Sequence, residues 1–160
     1  SAEGRAQWGR RFQWETSWTW QFNRWDVPVQ VLSEVSTTRL FMRTPNFYGY
    51  SQGTWWSKRG WTLNLHLLLT GPMSVPRFGG SESNPNDQIF RSPTMVEWNG
   101  QWTKKCKFKG IHAGFEFFAG FKNLLNRYQR EFDRGPGRDS NFIYGPSTPR
   151  TWFLGFRIQA

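Results

Sequence analysis

One cysteine, Cys106, and two histidines, His66 and His112, are all the chain offers of the residues that most often hold metals or form cross-links. A single cysteine excludes an intrachain disulfide and a cysteine-rich metal site. Neither histidine has a cysteine or an acidic cluster at ligand spacing, so no metal and no cofactor are expected, and both read as polar strand residues. Long apolar runs are also missing. No stretch approaches the ~18 apolar residues that a spanning helix needs, and a mean hydropathy of −0.70 excludes a helical membrane protein. No charged-then-apolar leader opens the chain, so an exported protein is expected to be present in mature form or as an internal piece.

Acidic residues are scarce, 11 against 21 basic ones, and the formal charge is +10. Such an excess raises nucleic acid, an acidic membrane surface or lipopolysaccharide as partners. The basic residues are scattered, however, and several fall in "GRR" at 9–11, "SKRG" at 57–60 and "TKKCKFKG" at 103–110, which read as solvated turns. The aromatics are not interleaved with this charge as a base-stacking platform requires, so no nucleic-acid partner is expected. No Ser/His/Asp set, paired carboxylates or phosphate-cradling glycine loop is visible, and an enzyme is not expected.

Aromatic residues are abundant, with 11 Trp and 15 Phe in 160 residues, and they are ordered. In "RFQWETSWTWQFNRW" at 11–25, Phe12, Trp14, Thr16, Trp18, Trp20 and Phe22 alternate with polar residues up to Asn23. A period of two is the signature of a strand with one apolar face. At about 3.3 Å per residue the run spans about 36 Å, which at a tilt near 45° covers the roughly 25 Å apolar band of an outer-membrane barrel.

The pattern recurs in Ala2–Trp8, in 44–56, and in Trp61, Leu63, Leu65, Leu67 and Leu69. It returns in Val96, Trp98 and Trp102, in Ile111–Lys122, and in Trp152, Leu154, Phe156 and Ile158. Seven strands are therefore predicted. Their connections alternate between short ones near 9–11, 57–60 and 103–110 and long aperiodic ones at about 25–44, 71–92 and 124–149. Short turns at one end and long loops at the other are the arrangement of outer-membrane barrels, whose turns face the periplasm. The predicted lipid-facing set is Phe12, Trp14, Trp18, Trp20, Phe22, Trp61, Leu63, Leu65, Leu67, Trp98, Phe115, Phe117, Phe121, Trp152, Leu154 and Phe156. A soluble antiparallel sandwich explains the alternation as well, but not the wealth of Trp, the strand lengths or the loop asymmetry.

Two stretches carry a resemblance. "FFAGFKNLLNRYQREFDRG" at 117–135 and "RDSNFIYGPSTPRTWFLGFRI" at 138–158 resemble the last two strands and final outer loop of TonB-dependent outer-membrane receptors, especially those of Bacteroidota. "TRLFMRTPNFYGYSQGTWW" at 38–56, continuing through "TGPMSVPRF" at 70–78, is similar to a region about five strands from the end of those receptors. In the family's order, Lys122, Asn123 and Asn126 close the penultimate strand, Tyr144-Gly145-Pro146 ends the loop, and Pro149-Arg150-Thr151 opens the closing strand. Asn123, Asn126 and 133–139 are also turn formers on their own chemistry.

Length and the lack of a linker-like stretch favour one unit over residues 1–160. The resemblance implies an all-β, up-and-down segment of a transmembrane barrel of about 22 strands, located in the outer membrane; the chain departs from the family in showing seven strands and no recognisable plug domain. It implies uptake of a metal chelate, a cobalamin-like compound or a glycan. The partners implied are the remaining barrel and plug in the same or a separate chain, TonB through that plug, and outer-membrane lipid and lipopolysaccharide. Two other readings are a stand-alone eight-stranded outer-membrane barrel and a soluble Trp-rich β-sandwich carbohydrate-binding module. Binding residues tend to sit on loops over a rigid scaffold. The candidates in the long loops are Arg39, Arg43, Asn84, Asn86, Asp87, Arg134, Arg138 and Asp139, the arginines suiting an anionic ligand through bidentate pairing.

Overall fold

The chain is all-β, and its period of two becomes one large antiparallel sheet in the structure, a computed structural model that describes residues 1–32, 37–81, 84–107 and 113–159. In chain order the strands are β1 (Ala2–Trp8), β2 (Phe12–Trp20), β3 (Arg24–Gln30), β4 (Thr37–Leu40), β5 (Phe47–Trp56) and β6 (Trp61–Thr70). They continue as β7 (Ser74–Arg77), β8 (Gln88–Arg91), β9 (Met95–Lys107), β10 (Gly114–Lys122) and β11 (Thr151–Gln159). The large sheet has the order β1-β2-β5-β6-β9-β10-β11, while β3–β4 and β7–β8 are separate two-stranded sheets within the long connections. Gly9 and Gly60 take φ of 61° and 77° in the first two short turns, a conformation that side chains with a Cβ disfavour.

The seven predicted strands are the seven strands of the sheet, with shifted ends. β2 stops at Trp20, so Phe22 lies beyond the strand and the pleat no longer sets its direction; it remains exposed beside Trp20. β5 begins at Phe47 and not at 44. The "TKKCKFKG" stretch is not a turn throughout, because Thr103–Lys107 extend β9 by pairing with β10. Ile111 and His112, assigned to the following strand, lie outside the described residues. The long connections 25–44 and 71–92 are not structureless: each carries a hairpin, missed because β4, β7 and β8 have only four residues each and charge and Pro28 interrupt the pattern of β3.

Register is unbroken across the large sheet, so facing residues share a side. Trp8, Phe12, Trp55, Leu63, Trp102, Ala119 and Leu154 form one row, and Ala6, Trp14, Gly53, Leu65, Gly100, Phe121 and Trp152 the next. Apart from Phe22, the predicted lipid-facing residues fall on this one side. The row that starts at the last residue of β1 reaches β11 at Leu154, five residues before its end. Five residues at about 3.3 Å over six strand steps of about 4.8 Å correspond to a tilt of about 30°.

Nothing in the described chain covers the apolar side. Trp20 is 67% exposed, Phe156 67% and Leu154 87%. Among the described residues β1 pairs only with β2 and β11 only with β10, so the sheet is open, and no second sheet lies over its apolar side. Neither a closed eight-stranded barrel nor a two-sheet sandwich is the arrangement observed.

Two polar groups on the apolar side are satisfied within it. Trp14 Nε1 donates to Ser51 Oγ at 2.8 Å, and Thr16 Oγ1 donates to the Tyr50 carbonyl at 2.8 Å. Phe121 lies over Gly100, where a Cβ would come within 2.5 Å of its ring, so aromatic area replaces the missing side chain. The opposite side is polar and laterally bonded. Arg5 pairs with Glu15 at 3.1 Å, Gln52 donates to Glu15 at 2.7 Å, and Thr54 donates to Asn64 at 2.9 Å. His66 stands on this side, 6.0 Å from the Tyr50 ring. Phe118 and Phe153 break the polar pattern, each lying over a glycine of the neighbouring strand, Gly155 and Gly120.

The main hydrophobic cluster lies at the loop end of the sheet and is drawn mostly from the long connections, Met95 being its one member from the large sheet. Val75, Met95, Phe142 and Tyr144 are buried together, with Met73 and Phe90 packed against them. The three long connections converge there. The Arg43 amide donates to the Ser74 carbonyl at 2.7 Å, Arg77 pairs with Asp133, and Phe90 meets Phe142 edge-on at 5.2 Å.

Candidate functional site

The segment 123–150 between β10 and β11 turns back over the loop end of the polar side. Asn123 and Asn126, at φ 49° and 54°, make the reversal, in keeping with their reading as turn formers. Asn123 then staples the bend. Its amide donates to Asn99 Oδ1 at 2.9 Å, its Oδ1 accepts from the Arg127 amide at 3.0 Å, and its Nδ2 donates to the Thr148 carbonyl at 3.0 Å. Gln129, wholly buried, joins the two arms of the segment: its Nε2 donates to the carbonyls of Phe142 and Glu131, and its Oε1 accepts from the Tyr144 amide at 2.9 Å.

Between this segment and β9 lies an open cleft of about 490 Å³, lined by Thr94, Met95, Asn126, Arg127, Tyr128, Arg130, Glu131 and Tyr144. Tyr144 and Met95 also border a smaller cleft of about 240 Å³ that reaches Leu68, Thr70, Glu97 and Pro146 on the polar side of the sheet. Arg127 and Arg130 are exposed, and the Arg130 guanidinium stands 5.2 Å from the centre of the Tyr128 ring. Burial pushes the Tyr144 phenol up, the nearby Glu131 carboxylate pushes it the same way, and Arg77 offsets part of the rise. The phenol therefore stays protonated at neutral pH. Two guanidinium groups, one aromatic face and one carboxylate form a site suited to a hydroxylated ligand bearing an anionic group.

The sequence-predicted binding residues divide into two sets. Asn84, Asp87, Asp139 and Arg43 serve the loops themselves: Asn84 is buried and donates to the Phe78 carbonyl, Asp87 accepts from the Gly79 amide at 2.7 Å, and Asp139 accepts from the Phe78 and Asn141 amides at 2.9 Å. Arg43 donates to the Asn141 carbonyl at 2.6 Å. Arg39, Asn86, Arg134 and Arg138 are exposed, but none lines the cleft. Sequence reasoning passed over Arg127, Tyr128, Arg130, Glu131 and Tyr144 as binding residues. Their signal was the "NRYQRE" run, which places a tyrosine among cations within a loop.

Compared with family models, with curated proteins and with solved structures, the chain finds no match in any of the three.

Proposed function

We propose that the chain supplies seven adjacent strands of the wall of an outer-membrane β-barrel, together with outer loops that gather ligand for nutrient uptake, as in the TonB-dependent receptors that 110–158 resemble. The observation that carries this reading is the uncovered apolar side, on which Trp14 and Thr16 turn their polar atoms to bonds within the sheet. In hydrocarbon no water serves an unpaired polar group, each of which costs several kcal/mol. Lipid is a solvent that such a face fits; water is not.

The stagger supports the same reading, because closure of a barrel requires tilted strands and membrane barrels tilt theirs by about 35–45°. The open edges of β1 and β11 then pair with other strands of the barrel. The polar side lines the lumen, and segment 123–150 leans into it with its cleft. A metal chelate with carboxylate arms or an acidic glycan matches the chemistry of Arg127, Tyr128 and Arg130. The chain has the part of a wall and binding surface, not of an enzyme, with TonB and a plug providing the gating.

Two measurements test this. Released from its own membrane, the protein should stay monodisperse only in detergent; a monodisperse species in plain buffer sinks the wall reading. In cells whose only copy carries Arg127→Gln, Tyr128→Ala and Arg130→Gln, with surface expression verified, uptake on a limiting nutrient should fall at least about tenfold. Undiminished uptake removes the cleft from ligand recognition.

A further inference from the structure

The turns at 9–11 and 57–60 and the end of β9 lie side by side at one end of the sheet because β2 pairs with β5, β5 with β6 and β6 with β9. They are joined by backbone bonds: the Trp56 amide donates to the Arg11 carbonyl at 2.8 Å, and the Lys105 amide donates to the Gly60 carbonyl at 3.0 Å. The result is a continuous rim. Arg10, Arg11, Lys58, Arg59, Lys105 and Lys107 are all exposed along it. No carboxylate occurs in 8–12, 56–61 or 103–107. The acidic residues nearest the rim on the polar side already face cations, Glu15 meeting Arg5 and Glu116 meeting Arg157. At the loop end, by contrast, cations are mixed with Asp87, Asp133, Asp139 and Glu131. The excess charge of the strand ends is therefore concentrated at the turn end.

This rim borders the apolar side where that side is richest in aromatics. Trp8, Phe12, Trp55, Trp61 and Trp102 occupy its last rows, and all are exposed. Lys104, the one ionisable amine on the apolar side of the described strands, bends outward: its Nζ sits 4.9 Å over the Trp61 ring and donates to the Arg59 carbonyl. Apolar wall, then tryptophan, then cation is the order in which a phospholipid presents acyl chain, glycerol region and phosphate.

We infer that the turn-end rim binds anionic phospholipid headgroups, whose phosphates are held among Arg11, Lys58, Arg59 and the outward-bent Lys104. The inference rests on the reading that the apolar side meets lipid, and adds to it a headgroup preference and a side of the membrane. Long-range attraction of Lys and Arg to an anionic surface supplies the affinity, so it weakens with salt.

The test uses the protein extracted from its own membrane in a neutral detergent. Phosphatidylglycerol and phosphatidylcholine are titrated in mixed micelles, with quenching of tryptophan by brominated acyl chains as readout and native mass spectrometry to count adducts. Phosphatidylglycerol should bind at least about tenfold tighter than phosphatidylcholine. The Lys58→Gln, Arg59→Gln, Lys104→Gln variant should lose that preference, while Lys58→Arg with Lys104→Arg and the loop-end pair Arg134→Gln, Arg138→Gln should keep it. Equal binding of both lipids overturns the headgroup inference and leaves the apolar-side reading standing. Binding of neither lipid overturns both. Displacement by millimolar inorganic phosphate marks a free-anion site, and tighter binding of a single-stranded oligonucleotide marks a nucleic-acid surface; either result overturns the assignment to lipid.

Discussion

Gln129 holds Phe142 in place from 13 residues away: its Nε2 donates to the Phe142 carbonyl at 2.8 Å, and neither residue is more than 1% exposed. The same amide group accepts from Tyr144 and donates to Glu131, so one side chain closes the segment between β10 and β11. Leaving a buried donor or acceptor unmade costs about 1–3 kcal/mol. Gln129→Leu should therefore release this segment while the seven-stranded sheet persists. Trypsin cleavage after Arg134 or Arg138 should accelerate at unchanged strand circular dichroism; equal cleavage rates would show that the segment is held elsewhere.

Arg77 and Asp133 tie the β7–β8 hairpin to that segment, with the Asp133 side chain fully buried and Arg77 stacked 4.7 Å over Phe142. Removing one partner of a buried pair costs about 3–5 kcal/mol, whereas replacing both by apolar groups costs much less. Arg77→Met alone should destabilise the loop body by about that amount, and Arg77→Met with Asp133→Leu should recover most of it. Hydrogen exchange at the amides of β7 and β8 reports the difference.

Leu65 and Asn64 are neighbours in β6 on opposite sides of the sheet. Arg at Leu65, near the middle of the apolar side, should cost about 2–4 kcal/mol in lipid, and Arg at Asn64 much less. Denaturant titration in lipid vesicles measures both. Equal losses would indicate that both sides are buried in protein.

Tyr144 links loop packing to pH. Its phenol is raised by burial and by Glu131, so its contribution to stability is complete below the ordinary phenol value near 10 and is lost as pH rises through the higher value of the folded state. Protease sensitivity of 123–150 should increase in strong alkali, and Tyr144→Phe should remove this step. A step that survives in the Phe variant belongs to another group.

Sidedness can be read by labelling. In a Cys106→Ser background, a cysteine at exposed Ser140 should react with an impermeant maleimide on intact cells, and one at exposed Lys58 should react only after the outer membrane is opened. The reverse pattern would invert the proposed topology.

The large sheet was legible because each strand repeats its alternation over seven or more residues; even the register follows once Trp8 and Phe12 are joined by a three-residue turn. The hairpins at Arg24–Gln30 and Ser74–Arg77 were not, since proline and charge interrupt runs that are already short. The loop core was hidden for another reason. Val75, Phe90, Phe142 and Tyr144 come from two segments far apart in sequence, and no local period marks residues that meet only through tertiary packing. The same holds for the cleft, where Thr94 and Met95 meet Arg127, Tyr128 and Arg130 across the chain reversal at Asn123. Asn84 and Asp139 looked like ligand contacts because polarity in a loop is the same in sequence whether it faces a ligand or a neighbouring amide.

Seven strands, each antiparallel to the next, leave β1 and β11 pointing the same way. Joining those two edges directly, in one molecule or between two copies, makes a parallel pair, which breaks the alternation of the sheet. A continuation that stays antiparallel from edge to edge therefore adds an odd number of strands. It also inherits the stagger that carries Trp8 to Leu154, so parity and shear together restrict what can stand beside this sheet before any side chain is considered.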